Sequence, residues 1–293
     1  MTSLTSSSSL SSKDVKQGTK EWFALRQNRI TASIFGEAIG ISPYVSPRSL
    51  WQKLTGKVDL SNIDTSSKAT DHGIMNEDIA RKVYERIMNV NVLETGFYIH
   101  PKYSWLGASP DGLINKNGLL EIKCPLYKIH DKIPAHYLAQ IQGQLECAEK
   151  DYCDFFSYHT STTEYKIFRV YRSKEYWNWL YKYLKDFYVC VQCDIDPISC
   201  GKISIPPAIL PPECNIEILL HNALNYNVKI KSSSTENNNN NNNNEKIKKK
   251  KTPYRPQYKN SLSKKQYRSL ISRSNIIKLH HEMKKKKKEE NEI

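Results

Sequence analysis

The stretch Gly107–Pro125, GASPDGLINKNGLLEIKCP, decides how the chain reads. It predicts two short strands joined by a turn. Asn115, Asn117 and Gly118 supply the turn chemistry, because Asn and Gly tolerate positive φ. Leu119–Lys123 is the returning strand. Side chains alternate faces along a strand, so Glu121 and Lys123 project from one face and Leu120 and Ile122 from the other. Asp111 lies near the end of the preceding strand, across the turn. One hairpin thus gathers two carboxylates and one lysine. Carboxylates that close repel unless something cationic sits between them. A divalent metal is the usual solution, and hard oxygen ligands suit magnesium or manganese. A surface hairpin with scattered charge is the competing reading of these residues alone.

The flanking segments fill in the rest of the domain. Thr19 can cap a short helix carrying Trp22, Phe23, Leu25 and Arg26, and Thr31 or Ser33 can open a second. Arg26, Arg29, Thr31 and Ser33 then lie near a helix N-terminus, where unpaired N–H groups favour an anion. That arrangement reads equally as a phosphate pocket or as an ordinary helix pair with a surface arginine. Ser46-Pro47 begins a third helix that ends at Gly56. A longer helix runs from about Ala69 to Met88, with Ile74, Ala80, Val83, Tyr84 and Ile87 as its apolar stripe. Glu77 lies at the buried edge of that stripe, as a solvated acid or as a ligand. Val90–His100 reads as strand, turn, strand.

Beyond the hairpin, Ala135–Ala148 is a helix that places Gln140 and Gln144 on one face, with Tyr137 on the same side. Those glutamines face either the hairpin or solvent. Asp151–Thr160 and Glu164–Arg172 form a hairpin rich in Tyr, Phe, Ile and Val. Lys174 to about Val191 is an aromatic-rich helix whose rings suit a core or a subunit interface better than a base-stacking platform.

This order of elements predicts an α/β domain over residues 15–195, with a mixed central sheet flanked by helices. Residues 1–14 are Ser-rich without an apolar core, which excludes a secretory signal and reads as a disordered leader. Residues 196–235 open on a Pro-rich stretch and read as a strap or linker. Residues 236–293, with the Asn237–Asn244 homopolymer and the lysine runs, read as a disordered basic tail. Of 44 Lys/Arg and 30 Asp/Glu, 17 and 5 lie in residues 245–293, leaving 27 and 25 before them. The net charge of +14 is therefore a property of the tail, which suits non-specific contact with nucleic acid. No apolar run is long enough to cross a bilayer. Seven cysteines without a secretion signal predict reduced thiols in an intracellular protein. Cys190, Cys193, Cys200 and Cys214 are too irregularly spaced to favour a zinc site.

Pro110-Asp111 followed by Glu121-Ile122-Lys123 resembles the PD-(D/E)XK nuclease superfamily and hence a restriction-endonuclease-like core. Further blocks sharpen this: Trp22-x3-Arg26 with Ile30–Ser33, Glu77-Asp78-x-Ala80-Arg81, Ser109–Leu113, Leu120–Pro125, and Tyr137-x-Ala139-Gln140-x-Gln142. Their order over residues 17–160 is similar to the phage-lambda-type exonucleases, also called YqaJ-type viral recombinases. The resemblance implies a metal-dependent 5′→3′ exonuclease acting on double-stranded DNA ends in recombination or genome processing. It implies that Asp111, Glu121 and the main-chain carbonyl of Ile122 bind metal, with Glu77 at a second ion. Lys123 would orient and activate the attacking water, or act electrostatically. Gln140 would position the nucleophile or substrate, and Arg26, with Thr31 and Ser33, would bind a 5′-terminal phosphate. Two Mg²⁺ or Mn²⁺ ions, a single-strand-annealing partner and a ring-shaped homotrimer belong to the same set of implications. An endonuclease on the same fold and a non-cleaving DNA-binding recombination scaffold are the competing functions.

Overall fold

The hairpin is the hub of a six-stranded sheet. The structure, a computed structural model, describes residues 11–58, 68–199 and 210–222. Strands β1 (Ile30–Thr31), β3 (Tyr98–Ile99) and β4 (Leu106–Ala108) form a small sheet in the order β1-β4-β3. Strands β2 (Val92–Leu93), β5 (Gly112–Ile114), β6 (Gly118–Lys123), β7 (Tyr152–His159), β8 (Glu164–Tyr171) and β9 (Ile216–Asn222) form the large one, in the order β2-β5-β6-β7-β8-β9. β6 and β7 run parallel, and the other pairs of the large sheet run antiparallel. A parallel pair needs a crossover. Here it is helix α5 (Ala135–Ala148), which covers one face of the sheet.

The other helices are α1 (Lys20–Arg26), α2 (Phe35–Ala38), α3 (Pro47–Leu54), α4 (Lys68–Met88) and α6 (Lys174–Gln192). Thr19 caps α1 by accepting from the Trp22 amide at 3.3 Å. Ser46 caps α3 and Ser173 caps α6 in the same way. The fold class is therefore α/β with mixed sheets flanked by helices. Two apolar layers sandwich the large sheet. Leu119, Phe155 and Phe168 face α5 and α6, while Leu120, Phe156 and Ile167 face Ala80 and Tyr84 of α4. The aromatic face of α6 belongs to the first layer: Trp105 stacks on Tyr188 at 4.3 Å and Tyr103 on Tyr181 at 4.4 Å. Gly143 lets α5 touch Phe35, where any Cβ would collide with the ring.

Several expectations change. Val90–His100 holds the two expected strands, but they do not pair with each other. Its two strands pair in different sheets, β2 with β5 and β3 with β4. The second helix does not open at Thr31 or Ser33: Thr31 ends β1, Ala32–Ile34 form a 3-10 turn, and α2 is one turn long. Ile74 does not join the apolar stripe of α4 but is 69 % exposed, because the first turns of α4 rim a cleft. Ser12–Asp14, read as leader, form a 3-10 turn whose Ser12 and Lys13 carbonyls accept from the Phe97 and Gly96 amides at 2.9 and 2.8 Å. Within the expected linker, Ile216–Asn222 pair with β8 as an edge strand, an Ile/Leu-rich run that follows the prolines. The first ten residues, most of the expected linker and the Asn/Lys tail lie outside the described residues.

Candidate active site

The site is built where β5, β6, α4 and α5 converge. The turn at Asn115 has positive φ (52°), and the strands it joins pair Gly112 with Leu120 and Ile114 with Gly118. Asp111 sits just before β5. Its amide donates to the Leu120 carbonyl at 3.1 Å, and its Oδ2 accepts from the Ile122 amide at 2.6 Å. Register thus fixes Asp111 against the strand that carries Glu121 and Lys123. Gln17 adds a restraint that the sequence did not disclose: its amide donates to the Pro110 and Thr95 carbonyls at 2.8 and 2.9 Å.

Glu121 is 1 % exposed, so its charge survives only with donors around it. Lys123 Nζ contacts Oε1 directly. Gln140 Nε2 donates to the same oxygen at 2.7 Å, and Gln144 Nε2 to Oε2 at 2.6 Å. The two glutamines are one helical turn apart, and both are buried on the face of α5 that meets the hairpin. The solvent-facing alternative is thereby excluded. Gln144 is the fuller surprise. It was legible only as a helical neighbour of Gln140, yet it holds the second carboxylate oxygen. Its own Oε1 is buried without a hydrogen-bond partner among the described residues.

The electrostatics are short of positive charge. Burial, then Glu121 and Glu77, push the Asp111 carboxyl well above the usual carboxylate range, with Lys123 and the Ile122 amide opposing. Burial also raises Glu77, which Arg81 partly offsets through a contact of 3.1 Å. Burial works against the Lys123 ammonium, but Glu121 and Asp111 outweigh it, and its pKa is raised. Lys123 therefore stays protonated, 4.9 Å above the Tyr137 ring. Burial and then Lys123 depress both nearby histidines, His130 to about 4.

Asp111, Glu77, Ile122 and Lys123 share the wall of an open cleft of about 920 Å³ with Ser33. Behind Ser33 lies Arg26, whose Nη2 donates to Thr31 Oγ1 at 3.3 Å and reaches Ser33 Oγ at 3.5 Å. Its guanidinium packs 4.3 Å from the Trp22 ring, and Trp22 Nε1 in turn donates to Ser109 Oγ at 2.9 Å. Burial lowers the Arg26 pKa, and Arg26 contacts no carboxylate among the described residues. A half-buried arginine bonded only to hydroxyls can accept an anion. Arg29 is instead spent on the Ser104 and Leu25 carbonyls, at 2.8 and 2.6 Å. With α2 only one turn long, the pocket is made by side chains rather than by a helix end.

Among the described residues no three His, Cys, Asp or Glu side chains group as a ready-made metal cage. The donor set at the hairpin nonetheless suits a hard cation: carboxylate oxygens in excess of the local positive charge, with a backbone carbonyl on the same strand. Of the four cysteines weighed as a zinc site, Cys200 lies outside the described residues. Cys190 is buried in the core, and Cys214 accepts from Gln142 at 3.5 Å. No helix among the described residues is long and apolar enough to cross a membrane.

Residues 21–151 match the YqaJ-like viral recombinase domain, a span that contains every block of the resemblance. An uncharacterized protein of Acanthamoeba polyphaga mimivirus is 30 % identical over 159 residues, covering 48 % of this chain and 28 % of the relative. The uncharacterized protein YqaJ of Bacillus subtilis (strain 168) is 27 % identical over 147 residues, covering 48 % and 46 %. The chain thus spans less than half the length of these curated relatives. Among solved structures, an alkaline exonuclease (LHK-Exo) from Laribacter hongkongensis is similar, with 27 % identity and a TM-score of 0.52, over 61 % of this chain and 96 % of that one. The same enzyme has been solved in complex with dAMP.

Proposed function

We propose, from a chain whose residues 21–151 match a YqaJ-like viral recombinase domain and whose fold is similar to an alkaline exonuclease, that it is a metal-dependent deoxyribonuclease. Its favoured action is 5′→3′ removal of nucleotides from double-stranded DNA ends. One observation carries the reading. Acidic side chains short of positive charge, Asp111 and Glu77, line a cleft that also carries Ser33, and Arg26 reaches Ser33 and Thr31 from behind. A phosphate seated in the pocket would lie a fixed reach from the acids, which is what measuring from a 5′ end requires.

In this reading Asp111, Glu121 and the Ile122 carbonyl would hold one Mg²⁺ or Mn²⁺, and Glu77 would support a second. A divalent metal bound there would supply a water of lowered pKa and positive charge for the reacting phosphate. The protein's own residues do the rest. Lys123, kept protonated, stabilises negative charge on the reacting phosphate rather than acting as a base. Gln140 holds Glu121 through its amide and from there positions the nucleophile or substrate. Arg26 binds the terminal phosphate with Thr31 and Ser33. Residues 15–195 form the catalytic domain, and the basic tail adds sequence-independent DNA affinity that weakens with salt. A homotrimer, an annealing partner and a role in recombination follow from the same resemblance.

The test is degradation of a linear duplex with a 5′ phosphate, the same duplex without it, and a closed circle, each with magnesium. Selective loss of the phosphorylated linear DNA is expected. Cutting of the circle would instead assign an endonuclease. DNA retained but never cut, with magnesium or manganese, would leave a binding scaffold.

A further inference from the structure

The two most exposed aromatic side chains among the described residues lie on this cleft. Tyr44 is 76 % exposed and Tyr127 is 88 % exposed, and both line the wall that carries Lys123 and Ser33. Several other tyrosines among the described residues are packed away. Tyr103, Tyr181 and Tyr188 are stacked against neighbouring aromatics, and Tyr84 and Tyr176 are fully buried. Each exposed ring sits beside a proline, Pro43 before Tyr44 and Pro125 two residues before Tyr127, which stiffens its loop. Tyr44 is also oriented. Its amide donates to Ser42 Oγ at 3.3 Å, and its ring meets His136 edge-on at 5.6 Å. His136 Nε2 is buried there without a hydrogen-bond partner among the described residues, so a polar atom waits next to the ring.

A water-exposed ring gains most from a flat, weakly hydrated partner, and an unpaired nucleobase is such a partner. We infer that Tyr44 and Tyr127 form a stacking site for unpaired nucleobases, holding an already single-stranded strand end in the cleft beside Lys123. This deepens the nuclease reading and rests on it. Stacking is indifferent to sequence, since every base has a π face, so the site selects strand state rather than base identity.

The test uses the full chain in chelator, with 5′-phosphorylated duplexes ending either blunt or in a short 5′ single-stranded extension containing 2-aminopurine. Binding of the extension should quench its fluorescence. Tyr44→Leu and Tyr127→Leu should each weaken binding of the extended duplex by about tenfold, while changing blunt-end affinity by less than about twofold. Tyr44→Phe and Tyr127→Phe should keep both the quench and the affinity, because the ring and not the hydroxyl is used. Equal losses on both ends, or no loss on either, would overturn the inference. Magnesium-dependent degradation by the wild type, run in parallel, separates the two claims. Degradation with unaltered binding by the leucine variants sinks the stacking site alone, whereas a wild type that neither binds nor degrades these duplexes sinks the nuclease reading with it.

Discussion

Two buried acidic sites lie on adjacent strands and on opposite faces of the same sheet. On the α4 face, Asp154 pairs in register with Leu120 and is wholly buried. Arg169 grips it with two hydrogen bonds of 2.8 Å, and the Tyr84 hydroxyl donates a third at 2.7 Å. One negative charge meets one positive charge, and both carboxylate oxygens are satisfied. On the α5 face, Glu121 is equally buried, but it shares Lys123 with Asp111 and Glu77, and Arg81 divides itself between Glu77 and Glu94. A balanced buried pair holds elements together. A cluster with too little positive charge costs stability and persists where a ligand completes it. Burial alone therefore does not mark a functional acid; the shortfall of cations does.

The contrast breaks first on activity. Asp111→Asn and Lys123→Ala are each expected to lower magnesium-dependent cleavage by more than about a thousandfold. The melting temperature of Asp111→Asn should hold or rise, since a repelling charge is removed. Cleavage rates beside calorimetry check this, and a variant that cuts at near-normal rate would dissolve the distinction. The balanced site should behave in the opposite way. Arg169→Ala leaves Asp154 buried and uncompensated, a loss of about 3–5 kcal/mol, with the melting temperature falling by about 10 °C. Tyr84→Phe should cost about 1 kcal/mol by the same measurement.

A further effect is a pH dependence. Burial, followed by Lys123, holds His130 neutral, with its pKa pushed down to about 4. The unfolded chain binds this proton near pH 6.5. Neutral His130 therefore contributes fully to stability above about pH 6.5, and that contribution is lost as pH falls toward 4. His130→Asn should flatten the stability profile between those values. A profile as steep as the wild type's would show that the slope comes from other groups.

Local sequence pattern reached most of this architecture. The period of α4, α5 and α6 and the turn at Asn115 placed the helices and the hairpin, and alternation put Glu121 and Lys123 on one face. What escaped depends on partners distant in sequence. Nothing local tells Val92 to pair with Ile114 while Tyr98 pairs with Ala108. Prolines masked β9, an edge strand that keeps Ile216, Ile218 and Leu220 exposed. Gln17 reaches Pro110 across 93 residues, and no spacing rule points to it. Gln144 carried a usable sign, one turn from Gln140, but which oxygen it would hold depends on how α5 packs on β6.

Metal binding by the hairpin acids is tested by a magnesium titration followed by thermal unfolding, on the wild type and on Asp111→Asn. A ligand that binds only the folded state raises its stability with concentration. A saturable rise in melting temperature is expected for the wild type and none for Asp111→Asn. The same rise in both proteins, or no rise in a wild type that still cuts DNA, would contradict the assignment of the hairpin acids as the metal site.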